Sequence, residues 1–171
     1  MTTDTVPAPK KKSDLALRSV TGIALILISV FCLVYGREPF WLLLSAATLA
    51  MIAEWASLIR AARWQMWLAL LGLLLPLFLA APHANVPNTA CWYGLLGATL
   101  AVFAFTRNPK LAAGMLYAGL PTLSLFFIHD RYDGIDLSFW TLAIVWSTDI
   151  GAYFAGRSIG CLLYTSPSPR D

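Results

Sequence analysis

Charge is what this chain has least of. Of its 171 residues only 12% are Asp, Glu, Lys or Arg, where a soluble domain of this size carries about 25%. Histidine is rarer still. His83 and His129 stand apart in polar segments, and neither has a nearby ligand at metal-binding spacing, which argues against a metal centre built on them. The three cysteines, Cys32, Cys91 and Cys161, form no Cys-x-x-Cys pair. Cys32 and Cys91 lie in or beside apolar runs and read as small packing residues, with a disulfide between them as the alternative. There is no basic stripe and no interleaving of basic with aromatic residues, which excludes nucleic acid as a partner. No internal repeat with matching residues occurs, so nothing supports a transporter built from inverted repeats.

What fills the chain instead is apolar. Hydrophobic residues make up 58%, and the mean hydropathy is +0.68. Six hydrophobic runs can be traced: Ser19–Tyr35, Pro39–Ile59, Gln65–Ala81, Ala90–Phe105, Leu111–Ile128 and Ser138–Ala155. A bilayer core of about 30 Å is crossed by about 20 apolar residues in a helix. Backbone groups in lipid must bond within their own segment, so each run is expected to be helical. The expected fold class is therefore all-α, a polytopic integral membrane protein with about six transmembrane helices. The first run reads as a span and not as a cleavable signal, because it is long, lacks a small-residue cleavage site and is followed at once by a second run. Pro76 and Pro121 fall inside the third and fifth runs, where kinks re-satisfied by neighbouring helices are expected.

The few cations are placed unevenly. With the amino terminus in the cytoplasm, Lys10, Lys11, Lys12, Arg18, Arg60, Arg63, Arg107, Lys110, Arg157 and Arg170 fall inside, and only Arg37 and Arg131 fall outside. This positive-inside pattern predicts a multi-pass protein of the cell (inner) membrane with both termini cytoplasmic. Residues 1–18 read as a polar cytoplasmic tail, with Met1–Asp14 disordered, and residues 19–160 as the membrane domain.

Against that background two acids stand out. Glu54 lies about 9 Å from Arg60 along the second helix, and Asp149 about 12 Å from Arg157 along the sixth, which puts both in the cytoplasmic half. An ionisable group at such depth costs roughly 2.5–3.5 kcal/mol or more and points by default to a functional site. The alternative is that each acid pairs with a basic residue and braces two helices. Asp149, Ala152, Tyr153, Gly156 and Gly160 share one helical face. Four of the five are small or carry a charge, and Ala152, Gly156 and Gly160 would let another backbone approach closely. Arg157 flanks this face, where it can reach a phosphate at the membrane surface. A polar notch with acids inside suits Mg²⁺, which takes one or two carboxylates together with phosphate oxygens. Gly151-x-x-x-x-Gly156-Arg157-Ser158 imitates a P-loop, but its glycines fall in a hydrophobic helix and not in a loop after a strand.

The run Asp149-Ile-Gly-Ala-Tyr-Phe-Ala-Gly-Arg-Ser-Ile-Gly160 resembles the central motif of the phosphatidate cytidylyltransferases, or CDP-diacylglycerol synthases. In that family an aspartate opens the run, Ala-Tyr follows, and Gly-Arg-x-x-Gly closes it. The matching positions are Asp149, Ala152, Tyr153, Gly156, Arg157 and Gly160. Ala53-Glu54-Trp55 and Gly114-Met-Leu-Tyr117-Ala-Gly-Leu-Pro121 are weaker matches, and the resemblance covers roughly residues 15–160. It implies a reaction in phospholipid biosynthesis. The phosphate of phosphatidic acid attacks the α-phosphorus of CTP, CDP-diacylglycerol forms, pyrophosphate leaves, and Mg²⁺ is required. The site residues it implies are Asp149 as catalytic group and metal ligand, Glu54 as a second metal ligand, and Tyr153, Gly156 and Arg157 in substrate binding. The partners it implies are CTP, phosphatidic acid and the lipid bilayer, with homo-oligomerisation left open.

The resemblance breaks off after Gly160. The family continues with a Lys and a Ser-Pro-x-Lys-Thr-type segment, further spans, and a late signature rich in Lys, Asp and His-Gly-Gly that holds most of its catalytic and metal-binding residues. Here residues 161–171 are polar and rich in Pro and Ser. They read as a truncated or non-native tail, which makes the chain the amino-terminal part of the enzyme, inactive alone. Two other readings stay open: a transporter or channel subunit using Glu54 and Asp149 for ions, and another CTP-dependent lipid enzyme such as a lipid-alcohol kinase.

Overall fold

Each hydrophobic run becomes one helix. The computed structural model describes residues 11–84, 86 and 88–159, with side chains for 20–84, 86 and 88–156. Its elements are α1 (Lys11–Tyr35), α2 (Arg37–Leu58), α3 (Arg63–Leu79), α4 (Asn88–Thr106), α5 (Pro109–His129) and α6 (Gly134–Ile159), with no strand among the described residues. The all-α expectation holds. The boundaries differ most at α1, which starts at Lys11, so the last part of the expected polar tail is helical. Lys, Leu, Ala and Arg are good helix formers and extend a helix that the apolar run has already nucleated. Residues 1–10 and 160–171, which include the expected altered tail, lie outside the described residues.

By length and apolarity α2, α4 and α5 can each cross a membrane, while the apolar stretches Val20–Tyr35 and Arg63–Leu79 are shorter. α3 spans about 25 Å at 1.5 Å per residue, a little less than a bilayer core. α6 is long but carries Asp136, Asp149 and several hydroxyl residues, and it falls short on apolarity. The protein is an all-helical membrane protein.

Side-chain bonds between helices fix which ends lie together. At one end Arg37 of α2 pairs with Asp130 after α5 at 2.5 Å, and His83 after α3 pairs with Glu38 of α2 at 3.2 Å. At the other, Trp55 of α2 donates to the Lys110 carbonyl of α5, and Gln65 of α3 donates to the Thr106 carbonyl of α4. The helices therefore run up and down in alternation. The connections after α1, α3 and α5 share one end with Arg37 and Arg131, and those after α2 and α4 share the end with Arg60, Arg63, Arg107 and Lys110.

α5 is the central helix, packed on α2, α3, α4 and α6. Half of its span is buried, against 22% for α2. The main core joins Ile52, Leu73, Leu95, Leu111, Met115 and Leu123. At mid-membrane Thr48 and Thr122 meet at 2.6 Å, which ties α2 to α5 by a hydroxyl pair. A smaller cluster of Leu33, Phe40 and Leu125, with Leu142 against it, holds α1 and α6 at the edge of the bundle. Pro76 and Pro121 both sit inside helices. In the last turn of α3, just past Pro76, the Leu77 carbonyl accepts from the Trp41 indole at 2.9 Å, which satisfies a group the helix end leaves open.

Candidate functional site

α2 ends in a turn built to hold its last residues in place. Arg60 has φ 53, the left-handed conformation that stops a helix. The Ala61 N–H reaches back to the Ala56 carbonyl at 2.9 Å and the Arg60 N–H to the Ser57 carbonyl at 3.0 Å, which together form a Schellman closure. One turn earlier the Trp55 indole lies on α5. Its N–H donates to the Lys110 carbonyl at 2.9 Å, and its ring stacks toward Tyr117 at 6.5 Å between centroids. Gly114 makes the room, because a Cβ there would run into the indole. The two weaker motif matches noted in the sequence, around Glu54-Trp55 and around Gly114, are thus two sides of one contact. α5 itself starts on Asn108, whose side chain accepts from the Leu111 N–H at 3.2 Å, with Pro109 next in line.

With Trp55 turned onto α5, Glu54 is left exposed. Asp149 is exposed as well, on the half of α6 that runs past the bundle. Neither acid makes an ion pair among the described residues, so the bracing alternative gains nothing from the geometry. Nor do the acids form one notch here: α6 packs on α5 and α1, and its backbone does not come close to that of α2. No group of three or more His, Cys, Asp or Glu capable of holding a metal is present among the described residues.

The rest of the motif shares this open face. Tyr153 is 49% exposed and meets Phe154 edge-on at 5.6 Å. Gly151 and Gly156 lie inside the helix, as expected against a P-loop, and a Cβ on either would meet nothing within 4 Å. The close helix contact expected at Gly156 is therefore not made here, because no other described helix reaches that part of α6. Close approaches occur instead at Gly114 and at Gly119, where a Cβ would come to 2.6 Å from Leu95. Arg157 is within α6, but its side chain, like Gly160, lies outside the described residues.

At the opposite end one expectation is corrected and another holds. His83 and His129 do not stand apart. His83 pairs with Glu38, and the His129 ring packs on Phe40 at 4.5 Å, because the up-and-down course brings three connections together. Cys32 and Cys91 are free thiols and form no disulfide.

The family model described as the cytidylyltransferase family matches residues 16–170. The chain belongs to the cytidylyltransferase family. Among curated members it is similar to proteins named phosphatidate cytidylyltransferase from Brucella suis biovar 1 (strain 1330), 34% identical over 161 residues, covering 86% of this chain and 56% of the relative. It is also similar to one of that name from Bacillus subtilis (strain 168), 28% identical over 167 residues, covering 86% of this chain and 60% of the relative. A shorter match to a protein of that name from Haemophilus influenzae is 37% identical over 59 residues, covering 34% of this chain. The chain thus spans little more than half the length of the first relatives it matches. No solved structure matches it significantly. Within the cytidylyltransferase family match, α6 carries the Asp149 motif and α2–α5 carry the Glu54-Trp55 and Gly114 contact.

Proposed function

We propose that this chain is the amino-terminal part of a phosphatidate cytidylyltransferase, an integral membrane enzyme that transfers CMP from CTP to phosphatidic acid. The carrying observation is the Asp149–Gly160 motif, which begins on α6, within a family match over residues 16–170. The names of the relatives supply the substrate class. Phosphoryl transfer of this kind rests on positioning and on charge neutralisation.

The residues at hand suit parts of that task. Arg157 offers a planar fork to two phosphate oxygens, of nucleotide or lipid. Asp149 makes no ion pair among the described residues, and its carboxylate fits a Mg²⁺ held mainly by substrate phosphates, since that ion needs only one or two protein carboxylates. Glu54, on a helix whose backbone does not come close to that of α6, is a second such carboxylate. When bound, the ion would offset the negative charge of the triphosphate. Tyr153 and Gly156 form the wall of the open α6 face against which substrate, or the remaining length of the enzyme, would pack. The end bearing Arg60, Arg63, Arg107, Lys110 and Arg157 faces the cytoplasm, by the positive-inside bias, and both termini of this chain lie on that side of the inner membrane.

Membranes holding either the full-length parent or this chain, given labelled CTP, phosphatidic acid and Mg²⁺, test the reading. The parent is expected to form CDP-diacylglycerol and the 171-residue chain is not. Turnover by the short chain would show that the catalytic groups lie within it, and no product from the parent would remove the transferase reading.

A further inference from the structure

At the end of the bundle away from the α6 motif, α2 to α5 enclose a recess of about 480 Å³. Arg37, Asn88, His129 and Asp130 form its polar wall, and Trp41 part of its apolar wall. Between α2 and α3, at membrane depth, lies a groove of about 620 Å³ lined by Leu42, Leu49, Leu74, Leu75 and Phe78, with Ser45 the only polar side chain besides Trp41. Trp41 lines both spaces, and its indole is fixed as their common wall by the Leu77 carbonyl at 2.9 Å. Tryptophan at this level sits at the membrane–water boundary. A polar recess beside an apolar groove has the two-part chemistry of a membrane lipid.

The charges select among lipids. Arg37 and Asp130 lie 2.5 Å apart, yet their side chains stay 58% and 44% exposed. One contact leaves most of the five guanidinium donors and the carboxylate lone pairs unused. An anionic headgroup would suit Arg37 but be repelled by Asp130, whereas a phosphate and an ammonium carried together match both.

We propose that the recess and groove seat one phospholipid with a zwitterionic headgroup, its phosphate on Arg37, its ammonium on Asp130 and one acyl chain between α2 and α3. The proposal needs only that the bundle lies in a membrane and does not depend on the transferase reading.

The test reconstitutes the full chain in phosphatidylglycerol nanodiscs with a trace of phosphatidylethanolamine that carries a diazirine on its acyl chain. Crosslinks are mapped by mass spectrometry. They should concentrate on residues 41–49 and 74–78, be displaced by unlabelled phosphatidylethanolamine, and not concentrate there when the diazirine lipid is phosphatidylglycerol. Leu75→Trp, at a position 52% exposed and so compatible with folding, should fill the groove and abolish the concentration. Asp130→Asn should lower the preference for phosphatidylethanolamine about fivefold, the scale of one exposed ion pair. Equal labelling by both lipids, even labelling of every lipid-facing helix, or an unchanged preference in Asp130→Asn would each overturn the proposal and leave an ordinary lipid annulus.

Discussion

Asp149 and Gly114 show two opposite uses of a single residue. Asp149 is exposed and makes no ion pair among the described residues, so its removal should not loosen the fold. In the full-length parent Asp149→Asn is expected to cut product formation about 10²-fold, the scale for losing one preorganised electrostatic group, with the yield of folded protein unchanged. If the thermal midpoint fell while the folded enzyme kept its rate, Asp149 would be a packing residue. Arg157→Lys keeps the charge and loses the fork, so KM for CTP or for lipid should rise more than kcat falls. Gly114 works through what it lacks. Gly114→Ala drives a methyl group into the Trp55 indole, an overpacking that costs about 1–3 kcal/mol, and should lower the midpoint in detergent. Trp55→Ala removes the indole, and with it both the bond to Lys110 and that clash, so adding Gly114→Ala to it should cost little further stability. An additive double variant would mean that the two residues do not act through their contact.

At the scale of elements, the joint between α1 and α2 is a single residue. Gly36 has φ 142 and ψ 178, a region open almost only to glycine. A Cβ there would meet nothing within 4 Å, so any cost of adding one comes from the backbone. Gly36→Ala should destabilise by about 2 kcal/mol. Gly22→Ala, equally uncrowded but inside α1, should be neutral or stabilise by up to about 1 kcal/mol through helix propensity. Chemical denaturation of the two variants side by side separates backbone strain from packing. Similar midpoints would mean that the joint tolerates other conformations. The sequence marked the ends of α2 and α4 with arginine, which serves charge placement. That Arg60 and Arg107 also adopt left-handed φ of 53 and 52 could not be read from residue type, because that position usually favours glycine or asparagine.

For the whole molecule, the alternation of helix ends makes topology testable. His83→Cys and Tyr132→Cys lie in connections at the Arg37 end and should react with an impermeant maleimide from outside intact cells. Arg107→Cys should react only after the membrane is opened. The reverse pattern would invert the positive-inside assignment and place the α6 motif outside, away from CTP.

Number, place and class of helices were legible in the chain, because apolar length and the backbone's need for internal hydrogen bonds act locally on each segment. So were the motif on α6 and the family it resembles, since both depend on residue identity and spacing alone. Contacts between helices were decided only by the tertiary structure. The lock of Trp55 into Gly114, the meeting of Thr48 with Thr122, and the gathering of Arg37, Glu38, His83, His129 and Asp130 at one end join residues far apart in the chain. Periodicity says which face of a helix is apolar, but not which neighbour that face will meet. The same limit explains the acids. Each was recognisable by itself as out of place in a membrane, yet whether Glu54 and Asp149 share a site depends on how α2 and α6 are packed, and in this structure the backbone of α6 runs along α5 and α1 and not along α2.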